Sequence, residues 1–409
     1  MRVGELRTFM NRTFHAFPWE LEITDWTGGC WSVGGAAGLH WCGEPLRIHL
    51  RTPAGGADLL RHDAMSFLER FVRGDIELEG NLYALSYIRK YTRLAPVTAL
   101  RALPSIAANL LYQSVRRARE NVRSHYDIPQ AALDLYLDRV FRSYSCGIWD
   151  DPTIGGKPEL LAVGTAGADA PDTLEKSMWR KFKDAVDFVA PRPGETLFDV
   201  GCGYGGQLAV ALAEQPFGRV VGWTHSRNQV AAAGQLLAGY GRERWEVREG
   251  DYRQESRVFD HVTSTGMVCH VGPRGLVPYV HNIRRRIREG GHYLHHVIMS
   301  TPSKIPLGLQ PGPAFNKKYV WPGFHWFTLG QHVRALERGG FCVLGLRNLS
   351  PHYAKTTAAW YERMMAARAT MVALVGEPTF RAWRIYLAGI SGGFAGGSVQ
   401  VNRLYCRAC

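Results

Sequence analysis

The sequence predicts an α/β fold: a doubly wound, mainly parallel sheet preceded by a smaller α/β unit. Three observations carry this. From residue 196 onward, short apolar runs alternate with helix-length segments, the rhythm of parallel strands joined by helices. The first run ends in an acid and four glycines within six residues, in Leu197-Phe198-Asp199-Val200-Gly201-Cys202-Gly203-Tyr204-Gly205-Gly206. Before residue 100, strand-like alternation occurs without that rhythm.

Residues 1–100 read as the small N-terminal unit. Trp19 to Val33 partly alternates apolar and polar residues, and Leu46-Arg47-Ile48-His49-Leu50 does so strictly, as a half-buried strand would. Ala64 to Arg73 has helical spacing, and Asp75 to Gly80 alternates into a turn. No catalytic spacing is present here, so lipid or substrate binding and oligomerisation are the roles left to it. Pro96 to Val122 is a helical stretch, apolar early and basic late, which suits a linker helix over 101–120 or a helix lying on a membrane. A second domain, 121–409, follows. Its expected strands are Thr196 to Val200, Arg219 to Trp223, Val247 to Gly250, Phe259 to Ser264 and His292 to Ile298. Its expected helices are Phe182 to Val189, Gln207 to Ala213, Gln229 to Gly239 and Tyr279 to Arg288.

The glycine segment is the chemical centre of this pattern. Glycine permits a sharp turn and lets the backbone approach a ligand that a Cβ would block. The helix behind it points its amide dipoles at that ligand. The spacing departs from the dinucleotide fingerprint, and no acid closes the second strand as NAD binding favours. An acid before Gly-x-Gly-x-Gly suits S-adenosylmethionine (SAM) instead, with Asp199, Gly201, Gly203 and Gly205 as its residues. A purely structural strand–helix turn is the competing reading.

Composition narrows the function. With 409 residues and 46% apolar side chains, two domains can each bury a core. No run of 18 apolar residues exists and the N-terminus lacks the apolar core of a signal peptide. A cytoplasmic protein is therefore expected. Eight cysteines are scattered, with one isolated C-x-x-C at Cys406 and Cys409; reduced thiols and no metal are expected. The net charge of +13 admits contact with anionic lipid, through Arg116 to Arg119 or Arg284 to Arg288, although a solvated helix face is the more usual account of each run. Nucleic acid is not an expected partner, because neither a base-methylation motif nor a recognised binding module is present.

The motifs, taken in order, resemble the cyclopropane-fatty-acyl-phospholipid synthases and the related mycolic-acid methyltransferases. They are His125-Tyr126-Asp127, Tyr144-Ser145-Cys146, Asp199 to Gly206, Thr224 to Gln229, Gly250-Asp251-Tyr252-Arg253, Gly266-Met267 with His270-Val271-Gly272, His296-Val297-Ile298, Lys318-Tyr319 with Pro322-Gly323, and His352-Tyr353-Ala354. The match covers about 120–409, and more weakly Phe71 to Leu82. The resemblance implies a Rossmann-like SAM-dependent enzyme that transfers a methyl or methylene group to a carbon–carbon double bond. It implies SAM contacts at Tyr144, Ser145, Gly201, Gly203, Thr224, Gln229 and Tyr252. It also implies a bicarbonate cradle at Cys146, His296, Ile298 and Tyr353. Its substrate class is unsaturated fatty-acyl phospholipid, which brings peripheral contact with the inner membrane surface; a homodimer is a further expectation.

The chemistry asks for such a site. An alkene is a weak nucleophile, so alignment with the methyl donor is essential. The resulting cation needs a dry, aromatic-lined pocket. Trp321, Phe324, Trp326, Phe327 and Tyr353 are the candidate walls, with ordinary core packing as the competing reading. Several positions depart from the family. Cys269 stands where the family has a glutamate, so bicarbonate loses a carboxylate that would orient it. Cys269 joins the candidate site for that reason, and His296 becomes the side-chain base if no bicarbonate is held. Gln130-Ala131-Ala132-Leu133, Met178 and Phe324-His325-Trp326-Phe327 also differ. These changes open two alternatives: a specialised-metabolite cyclopropanase or C-methyltransferase, and a homologue that binds SAM or lipid without catalysis.

Overall fold

A computed structural model describes residues 2–35, 44–91, 129–150, 172–303 and 309–409. The expected helix over Pro96 to Val122, the basic run Arg116 to Arg119, the motif His125-Tyr126-Asp127 and Cys42 lie outside the described residues.

The N-terminal unit runs α1 (Val3–Phe14), β1 (Leu21–Thr24), β2 (Cys30–Val33), β3 (Leu46–Leu50), α2 (Pro53–Leu60), α3 (Ala64–Arg73) and β4 (Ile76–Gly80). A 3-10 segment, Leu82–Lys90, follows. The strands form one sheet in the order β2-β1-β3-β4, with only β1 and β3 parallel. Trp19 to Val33 therefore resolves into a hairpin: Asp25 accepts the amides of Thr27 (2.6 Å) and Gly29 (3.3 Å) at its turn. Asp63 caps α3 by accepting from the Ser66 amide at 3.0 Å, and Gly74 ends it in the left-handed region.

The second part runs α4 (Gln130–Asp134), α5 (Leu174–Val189), β5 (Thr196–Val200), α6 (Gly206–Glu214), β6 (Arg219–Thr224), α7 (Arg227–Leu236), β7 (Trp245–Glu249), β8 (His261–Thr265), α8 (Leu276–Arg284) and β9 (His292–Ser300). It continues through α9 (Pro311–Tyr319), α10 (Leu329–Arg338), β10 (Phe341–Asn348), α11 (Ser350–Ala366), α12 (Arg368–Val375), α13 (Glu377–Ala395) and β11 (Val399–Ala408). The sheet order is β10-β11-β9-β8-β5-β6-β7. β5 to β9 are mutually parallel, while β11 is antiparallel to both β9 and β10. Strand order reverses between β5 and β8, so the crevice for a ligand opens beside the glycine segment that follows β5. Two arginines of the basic run at Arg284 to Arg288 are spent on structure. Arg288 pairs with Glu195 and Asp260, each at 2.7 Å, and Arg284 donates to the Cys409 carbonyl at 2.6 Å.

The two parts are locked through α13. Arg381, buried on that helix, donates to the carbonyls of Phe71 (2.6 Å) and Ile76 (2.7 Å) and to Glu77 (2.7 Å). Its guanidinium also lies 4.1 Å from the centre of the Phe71 ring. Ser86 donates to the Gly389 carbonyl at 2.5 Å, and Lys318 pairs with Glu69 at 2.6 Å. Arginine suits this task because its planar fork satisfies several acceptors at once.

Candidate active site

The glycine segment leaves β5, turns, and enters α6. Gly201 (φ +79°) and Gly203 (φ +54°) occupy the left-handed region that side chains disfavour. A Cβ on Gly203 would meet no atom within 4 Å, so the loop presents bare backbone to open space. That space is a cavity of about 220 Å³. The loop is anchored by the Cys202 amide, which donates to the Trp223 carbonyl at 3.0 Å, and by Tyr204, whose hydroxyl donates to Gln130 at 2.6 Å. The departure at Gln130 thus tethers the entry helix to the glycine loop.

Later strand ends complete the cofactor side. At the end of β6, the Thr224 hydroxyl donates to Gln229 at 2.5 Å, and both line the cavity. Beyond β7, Asp251 holds Arg253 in a two-point pair at 2.7 and 2.6 Å, with His225 at 3.4 Å. Burial alone would raise Asp251, but these partners hold it well below the usual carboxylate range. Tyr252 lies beside it on the wall. Asp199, at the end of β5, accepts from the Thr263 hydroxyl at 2.8 Å, and burial pushes it up to about 7. It also lines the cavity.

Tyr144 and Ser145 approach from the opposite side. Asp138 shapes their segment by accepting the amides of Phe141 and Ser143, both at 2.6 Å. Lys181 on α5 donates to the hydroxyls of Ser143 (2.5 Å) and Ser145 (2.8 Å), and burial drops it to about 7. Met178, another departure, lies under it with its sulfur 3.7 Å from Nζ.

The far end of the cavity is apolar and aromatic. Trp321, Phe324, Trp326 and Tyr353 stand on its wall as expected, joined by Tyr386 and Phe394, and Tyr353 stacks on Phe394 at 4.6 Å. Phe327 does not belong there. It packs against His332 in the core on the other side of the sheet, because its turn is pinned by Ser300 and His325.

His296 and Ile298 on β9, and Cys269 after β8, line the same chamber. Arg403 on β11 donates through Nε to His296 Nδ1 at 3.4 Å. An arginine has only donors, so Nδ1 accepts. Burial, with Arg403 and Lys181 nearby, holds His296 well below its ordinary range, so the ring is neutral and its one proton sits on Nε2. Nε2 has no hydrogen-bond partner among the described residues. His296 lines the chamber, and with Nδ1 engaged by Arg403 its Nε2 side is a hydrogen-bond donor, while its lowered pKa leaves it a weak base. Cys269 donates to the Gly266 carbonyl at 2.9 Å, and burial pushes its thiol up to about 12.

Two expected residues sit elsewhere. Cys146 is not on the cavity wall; its thiol donates to the carbonyls of Gly147 (3.1 Å) and Leu349 (3.6 Å). Gly205 caps α6 and faces α7, where a Cβ would come within 2.9 Å of Ala233. Lys181 and Arg403 were missed. Lys181 left a signal, since it shares the buried stripe of α5 with Leu174, Met178 and Ala185. Arg403 left none.

An open glycine cradle, hydroxyl and amide side chains at the end of β6 and the start of α7, and an aromatic wall define a SAM-dependent methyltransferase. The family model described as mycolic acid cyclopropane synthetase matches residues 113–404, and the chain belongs to that family. It is 30% identical over 351 residues, 84% of this chain and 83% of the relative, to a "Probable fatty acid methyltransferase" of Pseudomonas putida. It is 29% identical over 289 residues, 71% of this chain and 68% of the relative, to the cyclopropane-fatty-acyl-phospholipid synthase of Escherichia coli strain K12. Among solved structures, the mycolic acid cyclopropane synthase CmaA1 complexed with SAH and CTAB aligns with a TM-score of 0.62 at 25% identity, covering 71% of this chain and 98% of that one.

Proposed function

We propose that this enzyme methylates or cyclopropanates the carbon–carbon double bond of an unsaturated fatty-acyl chain. The observation that carries the reading is a single cavity lined both by the glycine loop with its strand-end polar side chains and by Trp321, Phe324, Trp326, Tyr353, Tyr386 and Phe394, with His296 on the same wall. The names of the curated relatives, concerned with fatty-acyl or mycolic chains, favour this over a specialised metabolite.

SAM bound at the glycine loop supplies an electrophilic methyl group. Gly201 and Gly203 admit it by backbone, and Thr224, Gln229 and Tyr252 are positioned to hold its nucleoside, while Tyr144 and Ser145 face it from across the cavity. The aromatic walls exclude water and face the alkene carbon that becomes cationic with their π-electron clouds. The orphaned N–H of His296, near Arg403 and Lys181, fits a small oxyanion such as bicarbonate, which would supply a proton acceptor. No carboxylate takes the place of the family glutamate, because Cys269 stands there with its proton directed to Gly266.

No described helix is long and apolar enough to cross a membrane, so bilayer chains would be reached by contact at the surface. The test is incubation with SAM and dioleoylphosphatidylglycerol vesicles. S-adenosylhomocysteine (SAH) should be released, and the acyl chain should gain the mass of one CH₂. Absence of both, with SAH still binding, would reject the reading.

A further inference from the structure

A second, larger cavity of about 970 Å³ lies between the N-terminal unit and the second part. Its N-terminal wall is apolar, with Phe9, Phe14, Leu59, Phe67 and Leu85. The opposite wall is α13. Along that helix, Tyr386, Ile390 and Phe394 recur every fourth residue and face the cofactor cavity. Ile385, Gly389 and Gly393 form the adjacent stripe and face the second cavity. Trp326, Tyr386 and Ile390 line both, so the two chambers meet at these side chains.

The rim of the second cavity carries charge that no acid among the described residues balances. Arg89 and Lys90 line it and stand exposed at its edge. Among the described residues neither has an ion-pair partner, and Lys90 rests only on the Tyr87 ring at 4.8 Å. The two acids on the same lining are already engaged: Asp58 pairs with Arg70 at 2.6 Å, and Asp63 caps α3. The chamber is thus apolar within and cationic at the edge. Its volume falls within the range that encloses a ligand, roughly 300–1,000 Å³.

We propose that this interdomain cavity holds the part of an acyl chain between its anionic head and its double bond. The head lies at Arg89 and Lys90, and the hydrocarbon runs over the N-terminal wall. The chain then passes Trp326, Tyr386 and Ile390 to place its alkene at the cofactor. The N-terminal unit is accordingly half of the substrate site, held in register by Arg381. This rests on the acyl-chain reading above, and it identifies what selects the chain.

Gly389→Leu is the direct probe. A Cβ there has Ser86 Oγ no nearer than 4.0 Å, so the added side chain enters the cavity without displacing backbone. Leu59→Trp narrows the cavity from the opposite wall. Binding of cis-parinaric acid, followed by its fluorescence, reads occupancy without chemistry. Both variants should weaken it by about tenfold or more while leaving the SAH Kd unchanged. Retention of parinarate affinity within about twofold in both variants would overturn the proposal. Turnover of dioleoylphosphatidylglycerol vesicles and of free oleate is measured in parallel. If Arg89→Glu with Lys90→Glu lowers kcat/KM on the vesicles alone, the head is a lipid phosphate; if on both, any anionic head serves. If on neither, the assigned head position is wrong. Wild type that binds parinarate but releases no SAH from either substrate would reject the catalytic reading and leave the chamber standing.

Discussion

The two chambers that meet at Tyr386 are built by different means. The cofactor chamber is assembled from strand ends, each contributing a short stretch that follows β5, β6, β7 or β8. Its ligand-facing geometry is local: glycines in the left-handed region, and side-chain pairs such as Thr224 with Gln229 only five positions apart. The interdomain chamber has no motif. Its walls are held together by contacts between residues about 300 positions apart, such as Ser86 with Gly389 and Arg381 with Phe71. The difference teaches that the first chamber is shaped by local backbone conformation and the second by domain docking.

The sharpest way to break that contrast is at the loop. Gly203→Val places a β-branched residue at φ +54° and fills the cradle, so SAH affinity measured by calorimetry should fall by about a hundredfold or more. Normal SAH binding would show that the loop is only a structural turn. Next in size is His296→Phe, which removes the orphaned imidazole donor from the chamber. Turnover should drop by about a hundredfold with the SAH Kd unchanged, as removal of one preorganised donor does. A drop in SAH binding instead would move His296 to the cofactor side.

Arg381→Met tests the other chamber. It leaves the carbonyls of Phe71 and Ile76 and the Glu77 carboxylate without their donor, at a cost of about 3 kcal/mol in denaturant unfolding. Parinarate affinity should fall while SAH affinity holds; equal loss of both would mean that the chambers are one unit.

The smallest effect concerns Asp199 in the ligand-free protein. Its folded pKa is raised from 3.8 to about 7 by burial. The neutral acid therefore stabilises the fold below 3.8, and that contribution is lost as pH rises through about 7. Asp199→Asn should raise the unfolding free energy by about 2 kcal/mol above neutral pH, with the gain shrinking as pH falls toward the ordinary carboxylate range. The same substitution should weaken SAM, so stability and binding move in opposite directions. A gain that does not vary with pH would show that Asp199 is ionised in the free protein.

Much of the fold was legible because the signals were short-range. The alternation at Leu46 to Leu50, the stripe of α5 and the glycines after Val200 each express a backbone preference within a few residues. The antiparallel pair β10 and β11 was not foreseen, since their partners follow long helical insertions. Among site residues, Thr224, Gln229, Tyr252, Ile298 and Tyr353 line one cavity. Cys146, Gly205 and Phe327 do not, because which way a side chain turns depends on what packs behind it. Gly205 turns to Ala233, and Phe327 turns to His332.

By itself, then, the sequence determined the parallel sheet, the glycine cradle and the family to which the chain belongs. Each of those rests on torsional sterics and periodicity within neighbouring residues. Only the tertiary structure decided where the proton of His296 sits and how the second chamber closes. The first depends on Arg403, 107 positions away, and the second on two domains locked through one buried arginine. Hydrogen-bond direction and enclosed volume are properties of groups brought together by packing, so no single stretch of chain contains them.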